Sequence, residues 1–289
     1  MARTVDAALE SHLAGTAHTR CRMLLFLLRD GTKFGITDHN KDIDFDLPEA
    51  ASGSITYSAR TGFSISDVEI PGNLEPGNYE VSGPIGEIVT LSQLLGGRWR
   101  RAITYLFEIN WKNPGAALDL MKGAVTNAGP RGGQFKFEVR DDRDKLNQSI
   151  GRTLTNQCRR VRSDCCINIA PETATTVLSV TSELEFTVAA TITSANFING
   201  RVQFTDGELS GNDPADIFNV TGSTIILQEP LSTVPQVGDA VTLKEGCDGS
   251  IQMCRDRFNN AAAHDGFAAV PGNKALMPAI PGQGSDGAP

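Results

Sequence analysis

The stretch Gly246-Cys247-Asp248-Gly249-Ser250-Ile251-Gln252-Met253-Cys254 places two cysteines with six residues between them, framed by glycines. The same interval separates Cys158 from Cys165, and Cys166 stands directly behind. Residues 167–246, between the two pairs, are rich in Thr, Val, Ile and Gly and read as strands broken by turns. Matched pairs on either side of a β segment predict one site assembled from distant parts of the chain. The architecture that follows is a small cysteine domain carrying an inserted β-barrel.

Inside the insertion, strands are expected over Glu183–Ala190, Arg201–Phe204, Thr224–Leu227 and Ala240–Leu243, giving a barrel at about residues 175–243. Few residues there can do chemistry. Histidine is absent, and Asp206, Glu208, Asp213 and Asp216 lie in a Gly-containing loop without metal-ligand periodicity. Beyond Cys254 the run Asp256–Ala263 favours a helix. From Gly266 the chain becomes rich in Gly, Pro and Ala, and residues 273–289 read as an extended tail.

The half before the cysteines is expected to be mainly antiparallel β. A short amphipathic helix over Thr4–Leu13 precedes a hairpin, Arg22–Leu28 and Lys33–Thr37, joined at Asp30-Gly31, a pair suited to tight turns. Short alternating runs between Ile55 and Val89 are punctuated by Gly, Pro and Asn; a helical turn over Thr90–Leu95 ends at Gly96-Gly97. The clearest strand alternates Ile103, Tyr105, Phe107, Ile109 and Trp111, and Phe135, Phe137 and Val139 alternate again. Charge then concentrates over Asp141–Lys145 while the periodicity stops. The boundaries follow: a β-sandwich or barrel domain over 1–145, a cysteine domain over 146–272, and the tail.

The totals bound the function. A chain of 289 residues holds about two domains, and 40% apolar with 21% charged residues is ordinary globular composition. A net charge of −8 argues against a surface that coats nucleic acid. The longest apolar run, Met23–Leu28, is strand-sized, so no membrane segment is expected. The N-terminal residues lack the signal-peptide pattern, which predicts a cytosolic product and favours free thiols, catalysis or metal for the six cysteines.

Several side chains invite a chemical reading. Asp38, Asn40, Asp42, Asp44 and Glu49 match the ligand positions of a calcium loop, but Ile43 occupies the position that needs glycine, and a polar turn is the plainer reading. Arg98, Arg100 and Arg101 surround Trp99 in a basic cluster, the composition of a solvated face or partner contact. Cys21 followed by His39 has the residue types of a thiol nucleophile and base, but no oxyanion or base-orienting feature stands nearby and a buried structural Cys is the plainer reading. His12 and His18 have no ligand neighbours at metal spacing.

For the paired cysteines three readings compete. They are plain buried thiols, a structural zinc, or an iron–sulfur cluster, which takes four thiolates and tolerates wider spacings than the two to four residues usual in zinc knuckles. Spacing alone does not separate cluster from zinc.

The order of short motifs adds a further element. Asp30-Gly31, Phe34 to Asn40, Asn110 to Pro114 and Phe135 to Arg140 are joined in the C-terminal half by Leu146 to Arg152, Cys158, Gly238-Asp239, Gly246-Cys247-Asp248, Cys254, Phe258-Asn259 and Gly266-Phe267 through Pro271-Gly272. In this series the chain resembles the tail-tip (baseplate) hub proteins of alphaproteobacterial gene transfer agents and related siphophages. The C-terminal domain of that family is similar to the lambda-type minor tail protein that carries a 4Fe–4S cluster. The resemblance implies cluster ligands at Cys158, Cys165, Cys247 and Cys254. Cys166 stands where relatives have a glycine after the second ligand, which favours Cys165; because the cysteine is doubled, Cys166 is its substitute. It also implies a non-enzymatic structural protein of the virion tail tip, assembled in the bacterial cytoplasm as a ring, with three copies expected. Its partners would be the distal tail ring and a tip or fibre protein, and DNA would pass through without specific binding. The rival expectations are an iron–sulfur electron-transfer protein and a tail-associated cysteine peptidase built on Cys21 and His39. Structural zinc is the alternative cofactor.

Overall fold

The structure, a computed structural model, describes residues 10–12, 14–15, 19–50, 53–59, 62–72, 74–86, 88–147, 151, 155–159 and 163–267. Most of the expected Thr4–Leu13 helix, His18 and the tail beyond residue 267 lie outside these; residues 10–12 are helical.

The first unit is a nine-stranded sheet. Its strands in chain order are β1 Arg20–Leu27, β2 Lys33–Thr37, β3 Ile43–Asp46, β4 Ser54–Ser58, β5 Ser64–Ile65, β6 Asn78–Pro84, β7 Ile103–Asn110, β8 Ala117–Arg131 and β9 Gln134–Asp141. They lie in the spatial order β3-β4-β2-β1-β7-β8-β9-β6-β5. The continuous apolar run in β1 is explained by burial on both faces. Leu24, Phe26 and Leu28 enter one apolar cluster with Phe135 and Phe137, while Cys21, Met23 and Leu25 enter another with Tyr57 and Phe107. The expected hairpin forms with Met23 opposite Thr37 and Leu27 opposite Lys33, and Gly31 takes φ +84° at its turn.

Three features differ from the sequence expectation. First, β2 and β4 pair in parallel, Gly35 opposite Tyr57, within an otherwise antiparallel sheet. Gly35 permits this because the Tyr57 ring occupies the place of a side chain: a Cβ there would lie 2.8 Å from Cδ1. Second, β8 is the longest strand at 15 residues, yet Gly123, Gly129 and Pro130 conceal its alternation. It joins β7 to β9 through a register shift on each side, and a Cβ on Gly123 would meet the Arg140 carbonyl oxygen at 2.4 Å. Third, Trp99 belongs to the core. It is 2% exposed, stacks on Phe137 with centroids 5.1 Å apart, and meets Phe26 edge-on at 5.5 Å. The expected helical turn, α1 Leu91–Leu95, begins in a capping box between Thr90 and Gln93, and the Trp99 Nε1–H donates to Gln93 Oε1 at 3.3 Å.

The second unit is a closed six-stranded barrel of β10 Glu172–Val180, β11 Glu185–Val188, β12 Arg201–Phe204, β13 Ala215–Thr221, β14 Thr224–Leu227 and β15 Ala240–Lys244, in the order β10-β11-β14-β13-β12-β15. Alternate residues fill it: Val202 and Phe204, Ile225 and Leu227, Val241 and Leu243. The barrel docks on the α1 corner of the sheet, where the Asp213 N–H donates to the Gly96 carbonyl at 2.8 Å and Arg29 Nη1 reaches Asp213 Oδ1 at 2.5 Å. The fold is thus mainly β, with only short helices. Among the described residues no helix is long and apolar enough to cross a membrane.

Candidate metal centre

The barrel's first and last strands, β10 and β15, are hydrogen-bonded neighbours, with Glu172 opposite Lys244 and Thr176 opposite Ala240. Lys244 Nζ meets Glu172 Oε1 at 2.9 Å, and the Glu245 N–H donates to the Pro171 carbonyl at 3.2 Å. A chain that leaves Cys165-Cys166 therefore returns at Cys247 beside its starting point. Closure of the barrel is what brings the two cysteine pairs together.

Short local elements then aim the thiols. Helix α2, Cys166–Ile169, begins at Cys165, whose carbonyl accepts the N–H of Asn168 at 2.8 Å. Helix α3, Ile251–Asp256, carries Cys254 and is capped by Ser250, whose Oγ accepts the Met253 N–H at 3.1 Å. Gly249 takes φ +81° before the cap, and its carbonyl accepts the Cys158 N–H at 2.8 Å, tying the first pair to the second. The helix expected over Asp256–Ala263 is thus displaced toward the N-terminus. Asn259 at φ +47° interrupts the run, and only Ala261–Ala263 forms a 3-10 turn.

Five cysteines share one buried cluster with Ile167, and Met253 and Phe258 pack against it: Cys158, Cys165, Cys166, Cys247 and Cys254. The most exposed of the five, Cys158, shows only 6% of its surface. All are free thiols. Sγ of Cys166, Cys247 and Cys254 lie within 4.8 Å of one another, while Sγ of Cys158 and Cys165 are 3.6 Å apart. All four residues expected as ligands are therefore in the cluster, and both members of the 165–166 doublet are buried in it. The Gly249 N–H donates to Cys247 Sγ at 3.4 Å, the backbone contact by which thiolate centres spread their charge.

Burial pushes the Cys254 thiol well above its ordinary value, with Cys166, Cys247 and Cys158 adding to the rise. Burial also pushes Cys165 up, to about 11, against a backbone hydrogen bond at Ile167 that lowers it. Several thiolates in so small an apolar space repel one another, and a bound cation supplies the missing countercharge. The donor set fits a thiolate-held metal or iron–sulfur group.

Two nearby residues were not singled out in the sequence. Arg257 fixes the site to the barrel through Glu245 Oε2 at 2.6 Å, the Asn196 carbonyl at 2.8 Å and the Gly246 carbonyl at 3.3 Å. His264 brings Nδ1 to 3.8 Å from Cys254 Sγ. Its position ten residues after a cysteine was the available signal.

The other candidates separate. Cys21 is 4% exposed in the sheet core, and burial raises its thiol to about 11. His39 lies on Trp111, with centroids 4.9 Å apart, and its Nδ1 accepts the Lys41 N–H at 3.1 Å. No hydrogen bond joins Cys21 to His39 among the described residues. In the suggested calcium loop, Asp38 Oδ1 accepts the Arg22 N–H, Asp42 Oδ1 the Ala59 N–H and Asp44 Oδ1 the Thr56 hydroxyl. These three carboxylates thus accept from separate backbone and side-chain donors.

Comparison with known proteins agrees with this architecture. The family described as "Baseplate hub protein, N-terminal attachment domain" matches residues 6–164, more than half of the chain. A second, "Phage conserved hypothetical protein BR0599", matches residues 195–274, which include Cys247 and Cys254. A chain in the solved virion of a native gene transfer agent particle is 25% identical, with a TM-score of 0.80 over 98% of this chain and 99% of that one. No curated protein gives a significant match. With its N-terminal attachment domain matched across more than half of its length, this chain belongs to the baseplate hub protein family.

Proposed function

We propose that the protein is a structural, non-enzymatic hub at the tip of a phage-like tail, joining the ring that ends the tail tube to the host-contacting tip or fibre protein. The end-to-end similarity to a chain of a gene transfer agent virion carries this reading. In it, residues 1–145 attach to the tail ring, residues 146–272 form the cysteine domain with its barrel, and three copies surround the axis. DNA passes through without specific binding, in keeping with a net charge of −8. Assembly takes place in the bacterial cytoplasm, where thiols stay reduced.

Within this role the cysteine site holds a 4Fe–4S cluster that cross-links the chain on both sides of the barrel. When bound, the cluster supplies coordinate bonds to four thiolates and deprotonates them. Cys158, Cys247 and Cys254 provide three. The fourth comes from the doublet, where equal spacing favours Cys165 and proximity to Cys247 and Cys254 favours Cys166. A single structural zinc is the second reading. The compact trio supports it, since Zn–S bonds of about 2.3 Å place tetrahedral sulfurs roughly 3.8 Å apart.

The test is metal analysis of protein purified without oxygen. The cluster reading expects iron and acid-labile sulfide, about four of each per chain. Ser at Cys158, Cys247 or Cys254 should abolish both, and separate Ser substitutions at Cys165 and Cys166 identify the fourth ligand. Cys21→Ser should change nothing. Zinc without iron or sulfide would overturn the cluster and leave the cross-link.

A further inference from the structure

We infer that His264 is a positioning residue for this centre, donating its Nδ1–H to the sulfur of Cys254. The inference rests on the reading that these cysteines hold a metal or cluster.

Nδ1 stands 3.8 Å from Cys254 Sγ, within reach of a sulfur hydrogen bond. The other ring nitrogen, Nε2, is buried and has no hydrogen-bond partner among the described residues. A neutral imidazole carries one proton, so the two tautomers differ in which group is left alone. A proton on Nε2 would bury an unanswered N–H donor and aim a bare nitrogen lone pair at sulfur. With the proton on Nδ1, the donor meets an acceptor that becomes a thiolate when the site is loaded, a charge-assisted bond. The Nδ1–H form is therefore selected.

The surrounding chain holds the ring in place. The Asn260 N–H donates to the Cys254 carbonyl at 2.7 Å, and its side-chain amide donates to the Asp164 carbonyl at 2.7 Å. On the far side, Asp265 is paired with Arg159 at 2.6 Å, and the Phe267 N–H donates to the Thr155 carbonyl at 2.8 Å. Gly266 lies against the ring: a Cβ there would be 2.6 Å from Nε2 and 2.7 Å from the Gln157 carbonyl oxygen. The residues flanking His264 are thus fastened to the segments before the first cysteine and inside the first pair, and the imidazole closes over Cys254. An N–H donated to a ligand sulfur withdraws charge from it, favouring the reduced cluster and protecting the sulfur from oxidants.

Two measurements decide. Long-range 1H–15N NMR of the full chain as purified without oxygen reads the tautomer whichever metal is bound. The expected result is protonated Nδ1 and bare Nε2; protonation on Nε2 alone overturns the inference. Redox titration then compares wild type with His264→Phe and His264→Gln, alongside iron and sulfide content. The Phe variant should keep its iron, show a lower midpoint potential and bleach several-fold faster in air, while Gln, which retains an N–H donor, should recover part of both. An unchanged potential in a fully loaded Phe variant overturns the donor role. Loss of iron from that variant overturns it too, by making His264 a ligand. Absence of iron from wild type defeats the cluster reading instead; the tautomer then decides for His264, and with zinc bound the Phe variant should alkylate faster at Cys254.

Discussion

Replacing Gly246 by alanine tests the claim that barrel closure builds the cysteine site. Gly246 lies between β15 and Cys247, and an added Cβ would stand 1.9 Å from the Ile198 carbonyl oxygen and 2.6 Å from both the Asn199 carbonyl carbon and the Gly200 nitrogen. All three are backbone atoms, so no side chain can rotate away. The two segments must separate, which strains the hydrogen bond from the Gly246 N–H to the Asn196 carbonyl and that from Arg257 to the Gly246 carbonyl. Overpacking costs about 1–3 kcal/mol and each lost hydrogen bond about 1 kcal/mol. The expected destabilisation is therefore roughly 3–5 kcal/mol, among the larger effects of single substitutions. Urea unfolding followed by far-UV circular dichroism, with thiol titration under native conditions, should show an earlier transition and cysteines opened to reagent. Gly129→Ala is the control, because nothing lies within 4 Å of a Cβ there. A Gly246→Ala protein within about 0.5 kcal/mol of wild type, its five thiols still protected, would refute the reasoning.

Three further outcomes are expected. Trp99→Ala should cost about 3–5 kcal/mol of sheet stability, as large buried aromatic deletions do, while Arg100→Ala, at an exposed position, should stay within about 0.5 kcal/mol in denaturant titration. Cys21 should resist iodoacetamide at pH 8 in folded protein, since burial raises its thiol from 9.0 to about 11. Between those values the folded state holds the proton that the unfolded state has lost, so stability falls as pH rises, and Cys21→Ala should remove that slope from pH-dependent unfolding. Exchanging residues 175–243 for a short Gly/Ser linker should preserve metal content, because the flanking Ala174 and Lys244 are already diagonal neighbours on the β10–β15 ladder, roughly 7–8 Å apart. Loss of all metal from that protein would make the barrel part of the site.

Much of the β architecture was legible because alternation is a local property. Residues two apart share a face, so β7, β9 and the β1–β2 hairpin with its Asp30-Gly31 turn could be read directly. The longest strand escaped because Gly123, Gly129 and Pro130 remove side chains or donors from the pattern. Gly123 is there for contact with the β9 backbone at Arg140, which only the folded neighbour reveals. Trp99 misled for a related reason. Its sequence neighbours are arginines, but the groups that bury it, Phe26 and Phe137, come from strands remote in the chain.

The same division holds at the metal centre. The sequence by itself determined that two equally spaced cysteine pairs flank a β segment and that thiol chemistry is concentrated there. Tertiary structure alone decided that the pairs meet, because their distance depends on Glu172 lying opposite Lys244 across a closed barrel. It also decided that Cys166 rather than Cys165 lies with Cys247 and Cys254, and that His264 covers the sulfur of Cys254. Spacing along a chain fixes which residues share a strand or a helical turn. Which thiols share a cavity is set by strand register and closure, and these are chosen by the burial of the whole barrel core.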